Sequence, residues 1–413
     1  MKITPVRGFL LIGALCAYAL TVSAQVVELR ATINAAQENN PANTAPATGS
    51  AIMLYNLSNN TFDLMVSITG MSNTATASHI HEGATGVNGP VVTNLGGDAV
   101  YTRSGNTLTA TLRDIKHLGT PLTLLQSGTY FNIHSAQFPG GEVRGQFLPR
   151  PVRLVSNMDT AQEQAAFPAV NLAAVNNFGG AIMIYDPVAN TISLRHSLFN
   201  FNNPFSNSHI HEGAPALSGP ARTSLGNSVT AGGYSSANGY IAGAHDLPFV
   251  GDPVALLNGG MYLNYHSATF TGGQLRGQLT VSSETPSTRF INLAVRGFVG
   301  TGEQVLIAGL VVQGAEPVRV LVSAKGPSLS AFGITGALAN PRLALHDSAG
   351  RMIATNDDVG TVAAGSELGG IVGSPRNPLE SALVVVLPPG NYTAIVSAAA
   401  GTGVALLEVT DIR

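Results

Sequence analysis

Six histidines in this sequence have types and spacing that could hold metal ions. Two His-x-His pairs are each followed, further along the chain, by a third histidine, and the two sets are His79, His81 and His134, then His209, His211 and His266. Three imidazoles can bind zinc or copper and leave one coordination position open. Two alternatives stand beside a metal site: a structural network in which the rings donate to backbone carbonyls, or a site for another ligand.

Strands are the elements that would bring these histidines together. Alternate side chains of a strand share one face, so His79 and His81 point the same way. By the same rule, His134 shares a face with Tyr130 and Asn132. We expect the apolar residues between them to enter a core, which leaves the histidines on a polar face or rim.

A stretch of alternating polar residues recurs near the end of each repeated unit. Glu142, Arg144 and Gln146 alternate along one face, and the second half has Gln274 and Arg276 at the matching places. We expect Arg144 to form an ion pair with Glu142 or with an acidic loop residue, in preference to anchoring a ligand.

Two further pairs of residues bear on the histidine sites. Glu82 and Glu212 directly follow the His-x-His pairs, so their carboxylates could accept a hydrogen bond from an imidazole N–H. His117 and His245 are poor candidates as additional ligands, because they do not align between the two halves of the chain.

An internal duplication underlies all of these pairs. Four motifs recur at offsets that drift only from 130 to 132 residues, as expected when loops alone change length. The matching segments are 49–55 and 179–185, 78–84 and 208–214, 130–136 and 262–268, and 140–146 and 272–278.

Period-two patterns predict antiparallel strands throughout the repeated units. Phe62, Leu64, Val66 and Ile68 alternate with more polar residues, and Gly, Asn and Pro clusters separate such runs. No helix start-and-stop pattern is evident in either unit. We predict an all-β chain with units at residues 25–149 and 152–280, a linker at 281–288 and a distinct β-sandwich domain at 289–413.

The repeated motifs resemble those of the CHRD domain, a module found in chordin and in many exported bacterial proteins. They read His-Ile-His-Glu-Gly, Asn-Gly-Pro-Val-Val, Tyr-x-Asn-x-His-Ser and Gly-Gly-Glu-Val-Arg-Gly-Gln in the first unit. The resemblance implies two tandem immunoglobulin-like β-barrels, remotely like copper–zinc superoxide dismutase, and no established activity. In that dismutase a comparable His-x-His strand supplies copper ligands. This chain has fewer histidines and lacks the dismutase's cysteines, so dismutation is not expected.

Residues 1–24 have the pattern of an export signal. Lys2 and Arg7 precede an apolar run, and Val22, Ser23 and Ala24 form a small-residue cleavage site. The single cysteine, Cys16, lies inside this segment. Since no later run is long and apolar enough to span a membrane, we expect export to the periplasm, cell surface or extracellular space.

Composition excludes several classes of function. Charged residues make up only 10% of the chain, and no basic block marks a nucleic-acid interface. No nucleophile elbow, phosphate-binding loop or zinc-protease motif occurs. We therefore predict a non-enzymatic binding or adhesion protein with a protein or glycan partner, and as the alternative a copper- or zinc-binding protein.

Asp347 and 356–358 could hold calcium, although such residues more often cap a turn.

Overall fold

The computed structural model describes residues 25–412 apart from 41, 168–171, 173–174, 202–204, 227–238, 284–291, 362–367 and 369–370. The predicted export signal, with Cys16, and most of the predicted linker lie outside the described residues. Within the described ranges, no helix has the length and apolar character needed to cross a membrane.

The first unit is one curled antiparallel sheet in the strand order β5-β4-β8-β9-β1-β2-β3-β7-β6, with β10 also paired to β1. Its elements are β1 (Val26–Asn34), β2 (Thr48–Asn56), β3 (Thr61–Thr69), β4 (Ala75–Glu82), β5 (Val91–Gly96), β6 (Thr102–Ser104), β7 (Thr107–Lys116), α1 (Pro121–Leu125), β8 (Thr129–Ser135), β9 (Val143–Gln146) and β10 (Leu148–Pro149). Strands β4 and β8, which carry the histidines, are therefore direct neighbours.

The second unit repeats this topology in the order β15-β14-β17-β18-β11-β12-β13-β16, with β19 paired to β11. Its elements are β11 (Val152–Asp159), α2 (Thr160–Ala166), β12 (Phe178–Asp186), β13 (Thr191–Phe199), β14 (Phe205–Glu212), β15 (Ala221–Gly226), β16 (Gly239–Pro248), α3 (Pro253–Leu257), β17 (Met261–Ser267), β18 (Leu275–Gln278) and β19 (Thr280–Val281). Strands β14 and β17 correspond to β4 and β8.

Alternating burial explains why these residues form strands. Phe62, Leu64, Val66 and Ile68 on β3 are each at most 5% exposed, while their neighbours face outward or lie at intermediate depth. A strand in which every second side chain is apolar buries one face and solvates the other. The prediction of an all-β chain is confirmed.

The units also contain short helices, which no start-and-stop pattern in the sequence indicated. Helices α1 and α3 span five residues each and begin with a proline, which suits the first helical turn because proline lacks an N–H. Asp252 caps α3 by accepting from the Val254 N–H at 2.9 Å. Helix α1 has the proline without a side-chain cap, and helices of five residues are too short to show a periodic apolar pattern.

The third part of the chain forms two four-stranded antiparallel sheets, ordered β20-β27-β22-β25 and β21-β26-β23-β24, around a separate apolar core. Its strands are β20 (Asn292–Val299), β21 (Leu306–Val312), β22 (Val318–Lys325), β23 (Asn340–His346), β24 (Met352–Asn356), β25 (Ser381–Leu387), β26 (Gly390–Ala400) and β27 (Gly403–Asp411). It packs on the second unit, where the Val386 N–H donates to the Ser197 hydroxyl at 2.9 Å.

Two candidate calcium ligands of this third part accept hydrogen bonds from backbone N–H groups. Asp347 accepts from the backbone N–H groups of Ala349 and Arg351 and pairs with the Arg351 guanidinium at 2.8 Å. Asn356 instead accepts from the Ala382 N–H. The Asp347 carboxylate is thus engaged by hydrogen bonds within its own turn, which favours the turn-capping interpretation over calcium.

Candidate metal centre

Strand register places the histidines of each unit on one face. In the first unit β4 pairs with β8 so that His79 lies opposite Asn132, and His81 lies opposite Tyr130. The intervening Ile80 is fully buried in the core. Because His134 is two residues beyond Asn132 on the same strand face, its ring lies beside that of His79. Strands β14 and β17 repeat this register.

The structure brings all six histidines predicted from sequence into two triads. His79 Nδ1 lies 3.2 Å from His134 Nε2, and one ring nitrogen from each of the three histidines lies within 4.8 Å of the others. In the second unit His209 Nδ1 lies 3.3 Å from His266 Nε2, with His211 completing the group. Each triad thus offers three convergent nitrogen donors.

Backbone carbonyls fix the tautomer of two rings in each triad. His81 Nδ1 contacts the Gly89 carbonyl at 2.9 Å, and His134 Nδ1 contacts the Pro139 carbonyl at 3.0 Å. A carbonyl can only accept, so each Nδ1 carries the proton and each Nε2 keeps its lone pair. The corresponding acceptors in the second unit are the carbonyls of Gly219 and Thr271.

In each triad, the second histidine of the His-x-His pair has one ring nitrogen without a hydrogen-bond partner among the described residues. His81 Nε2 and His211 Nε2 are buried and make no hydrogen bond within the described structure. Burial lowers the pKa of both side chains below the usual histidine value, and it lowers that of His266 to about 4. The rings are therefore neutral at pH 7, the protonation state in which imidazole binds metals.

A loop between β4 and β5 covers the arginine of the polar face in the first unit, and its counterpart does the same in the second unit. Arg144 is only 1% exposed and donates to the carbonyls of Val87 at 3.0 Å and Ala84 at 2.8 Å. Arg276 makes the same contacts with the carbonyls of Leu217 and Ala214. The polar face is therefore not uniform, because this eight-residue loop buries the arginine while His79 and His134 stay partly exposed.

The predicted ion pair between Arg144 and Glu142 is also absent from this site. Glu142 is fully buried and accepts instead from the backbone N–H of Ser72 at 2.6 Å and from its hydroxyl at 2.9 Å. Arg144 therefore stabilises the covering loop through its carbonyls, and Glu142 stabilises the turn that contains Ser72.

Stacked rings connect each arginine to a triad. Arg144 Cζ lies 3.4 Å from the centroid of the Tyr130 ring, and that ring stacks on His81 at a centroid distance of 4.8 Å and an angle of 10°. In the second unit Arg276 lies 3.4 Å from the Tyr262 ring, which stacks on His211 at 5.1 Å. A cation and an imidazole thus flank the same aromatic ring.

Sequence reasoning missed two carboxyl groups next to these stacks, the half-buried Glu38 and the buried Glu163. Burial raises the pKa of Glu38 and of Glu163 to about 7, although a nearby arginine opposes the shift in each case. Glu38 accepts from the Asn132 side-chain amide at 3.4 Å. The signal was available, because Ala36-Gln37-Glu38 recurs as Ala161-Gln162-Glu163.

The two glutamates predicted to support the triads do not contact them. Glu82 accepts from the Thr120 N–H at 2.6 Å, and Glu212 pairs with Arg222 at 2.7 Å. Both carboxylates point away from the imidazoles because successive residues of a strand face opposite sides.

His117 and His245 lie outside the triads, as the sequence predicts. The Asn60 side chain donates to the His117 carbonyl, and Asn190 donates to the Phe249 carbonyl in the same way. His117 therefore occupies the core position that phenylalanine fills in the second unit. His245 contacts Arg195.

Comparison with known proteins agrees with the duplication. The family model of the CHRD domain matches residues 29–147 and 154–279, together more than half of the chain. No curated protein matches significantly. Among solved structures, the pre-peptidase C-terminal domain of a collagenase from Bacillus anthracis is similar at 16% identity. The match covers 29% of this chain and 90% of that domain, with a TM-score of 0.20. On the strength of its two tandem matches, the chain belongs to the CHRD-domain family.

Proposed function

We propose that this chain is a non-enzymatic metal-binding protein that holds one copper or zinc ion in each CHRD unit. The observation that carries the proposal is the buried Nε2 of His81, repeated in His211, which faces two other imidazoles and has no hydrogen-bond partner among the described residues. A buried polar atom without a partner is costly. A bound metal ion removes that cost.

One of the three nitrogen–nitrogen separations in each triad matches such an ion, and the other two lie within 4.8 Å. Zinc–nitrogen bonds of 2.0–2.1 Å in a tetrahedral site place two donor nitrogens about 3.3 Å apart. The nitrogens of His79 and His134 are 3.2 Å apart, and those of His209 and His266 are 3.3 Å apart. Without metal, the same distance is that of an N–H···N hydrogen bond, in which His79 Nδ1 donates to His134 Nε2. Metal binding at His79 Nδ1 would therefore require the proton of that ring to be on Nε2.

A purely structural role accounts for only half of the geometry. It explains why Nδ1 of His81 and of His134 donate to backbone carbonyls. It also explains why His134 Nε2 accepts from His79 Nδ1, but it leaves the buried Nε2 of His81 without a partner among the described residues. In metal sites, an imidazole usually donates its other N–H to a carbonyl or carboxylate, which orients the ring for the metal. The carbonyl contacts therefore support metal binding as well.

Imidazole donors suit zinc and copper rather than calcium or magnesium, which prefer oxygen. No carboxylate joins either triad within the described part of the chain. CHRD domains are typically extracellular, and with the signal-like residues 1–24 this supports action outside the cytoplasm. Association with a protein or glycan at the surface stays a prediction.

Elemental analysis tests the proposal. The protein, purified without a polyhistidine tag, is offered copper or zinc and dialysed before the metal content is measured. We expect about two equivalents per chain, falling by one in His81→Ala and in His211→Ala. His117→Phe is the matched control, because it removes a buried histidine outside the triads and should keep both equivalents. Retention of no metal by the folded wild type would refute the proposal.

A further inference from the structure

A buried guanidinium lies close to each triad, separated from it by one tyrosine ring. The guanidinium of Arg144 and the imidazole of His81 both contact the Tyr130 ring, at 3.4 Å and 4.8 Å. Both cannot occupy one face of the ring at these distances, so they lie on opposite faces. Arg144 is 1% exposed, and so is its counterpart Arg276. Water therefore screens this charge poorly.

No acidic side chain of the described chain neutralises this charge by an ion pair. The Arg144 donors go to the carbonyls of Ala84 and Val87 and to the amide oxygen of Gln146, all of which are uncharged. The nearby carboxyl of Glu38 has a pKa of about 7, so much of it is protonated at neutral pH. The field of the guanidinium consequently reaches the triad through the stack of Tyr130 on His81.

We propose that each triad takes copper as the monovalent ion, Cu(I), in preference to a divalent ion such as Zn(II). This inference rests on the proposed metal-binding function and names the ion. Repulsion from the guanidinium is twice as large for a divalent ion as for a monovalent ion at the same place. Three neutral nitrogen donors suffice for Cu(I), whereas Zn(II) normally requires a fourth ligand.

The size of this discrimination follows from the stack. An ion on His81 Nε2 would lie in the plane of the imidazole, to the side of the stack, so the spacings of 3.4 Å and 4.8 Å and a metal–nitrogen bond of about 2 Å put it about 9 Å from the guanidinium. At an effective dielectric constant of about 20, one unit of charge at that distance changes the affinity by roughly tenfold. Removal of the Arg144 charge should therefore reduce the ratio of Cu(I) to Zn(II) affinity by about that factor.

Competition titrations test the proposal on one site at a time. In a His211→Ala background, so that only the first triad reports, Cu(I) is titrated anaerobically against bicinchoninate and Zn(II) against a chromophoric chelator. We expect tighter binding of Cu(I) than of Zn(II). Arg144→Met should reduce the affinity ratio about tenfold, while Arg144→Lys, which keeps the charge, should leave it within about threefold.

The outcomes separate this inference from the proposed function. Zn(II) binding as tight as Cu(I) binding, or an equal ratio in the methionine and lysine variants, overturns the inference and leaves metal binding intact. Absence of binding for both ions overturns both. If circular dichroism finds that Arg144→Met does not fold, the Cu(I) to Zn(II) ratio of the His211→Ala protein decides alone, and a ratio of one or less refutes the preference for Cu(I).

Discussion

Replacement of Glu163 by glutamine will stabilise the chain at alkaline pH relative to acid pH. Glu163 is 1% exposed, and burial raises its pKa from 4.5 to about 7. The folded state therefore keeps a proton that the unfolded chain releases. A raised carboxyl pKa means that stability is greatest below pH 4.5 and is lost as the pH rises through 7. Glutamine, which is always neutral, abolishes this loss.

The magnitude follows from the two pKa values. Ionisation of this carboxyl in the unfolded chain lowers the free energy of unfolding by about 1.4 kcal/mol at pH 5.5 and about 3.4 kcal/mol at pH 8.5, since each pKa unit corresponds to about 1.36 kcal/mol. Relative to the wild type, Glu163→Gln should therefore gain about 2 kcal/mol in the free energy of unfolding between these pH values.

Urea unfolding followed by circular dichroism at the two pH values measures this difference for the transition that includes the second unit. Replacement of the exposed Glu303 by glutamine controls for the loss of a carboxylate. An equal difference between Glu163→Gln and wild type at both pH values would refute the reasoning, because Glu163 would then be ionised in the folded state as it is in the unfolded one.

Three other predictions concern the covering loop, the core and the metal. A Cβ at Gly219 would overlap the Glu212 carbonyl, so Gly219→Ala should displace the loop that accepts from His211 and weaken metal binding by the second unit at least tenfold; unchanged metal content after dialysis would contradict this. His117→Phe, which installs the side chain found at position 249, removes two buried ring nitrogens without hydrogen-bond partners and should raise the free energy of unfolding by about 1 kcal/mol; a lower thermal midpoint would count against the assigned equivalence. Metal at one hundred times its Kd should stabilise the protein by about 2.7 kcal/mol, measured calorimetrically and reversed by a chelator; an unaltered midpoint would argue against binding to the folded state.

Local periodicity accounts for what could be predicted from the sequence. Alternation along β3 identified its buried face, and the i, i+2 spacing of His79 and His81 placed both on one side of β4. The duplication strengthened both predictions, because each motif occurred twice in the same order. That His134 would join the pair followed only in part, since its position depends on the register between β4 and β8.

Contacts between distant segments account for what could not be predicted. The stack of Arg144, Tyr130 and His81 draws on three strands, and its order follows from cross-strand pairing rather than from spacing. The covering loop has no periodicity and is held by carbonyl contacts that any residue type could provide. Glu38 was missed because it follows a three-residue 3₁₀ turn, Ala35–Gln37, where no strand pattern assigns it a face.

X-ray absorption at the metal edge of the loaded protein tests the central claim most directly. We predict a first coordination sphere of nitrogen at about 2.0 Å, with the multiple scattering expected of three imidazoles for each ion. In a His81→Ala and His211→Ala double variant, any ion retained should have no more than two imidazoles. A wild-type spectrum dominated by oxygen, or one fitted with a single imidazole, would contradict the assignment of the two histidine triads as metal sites.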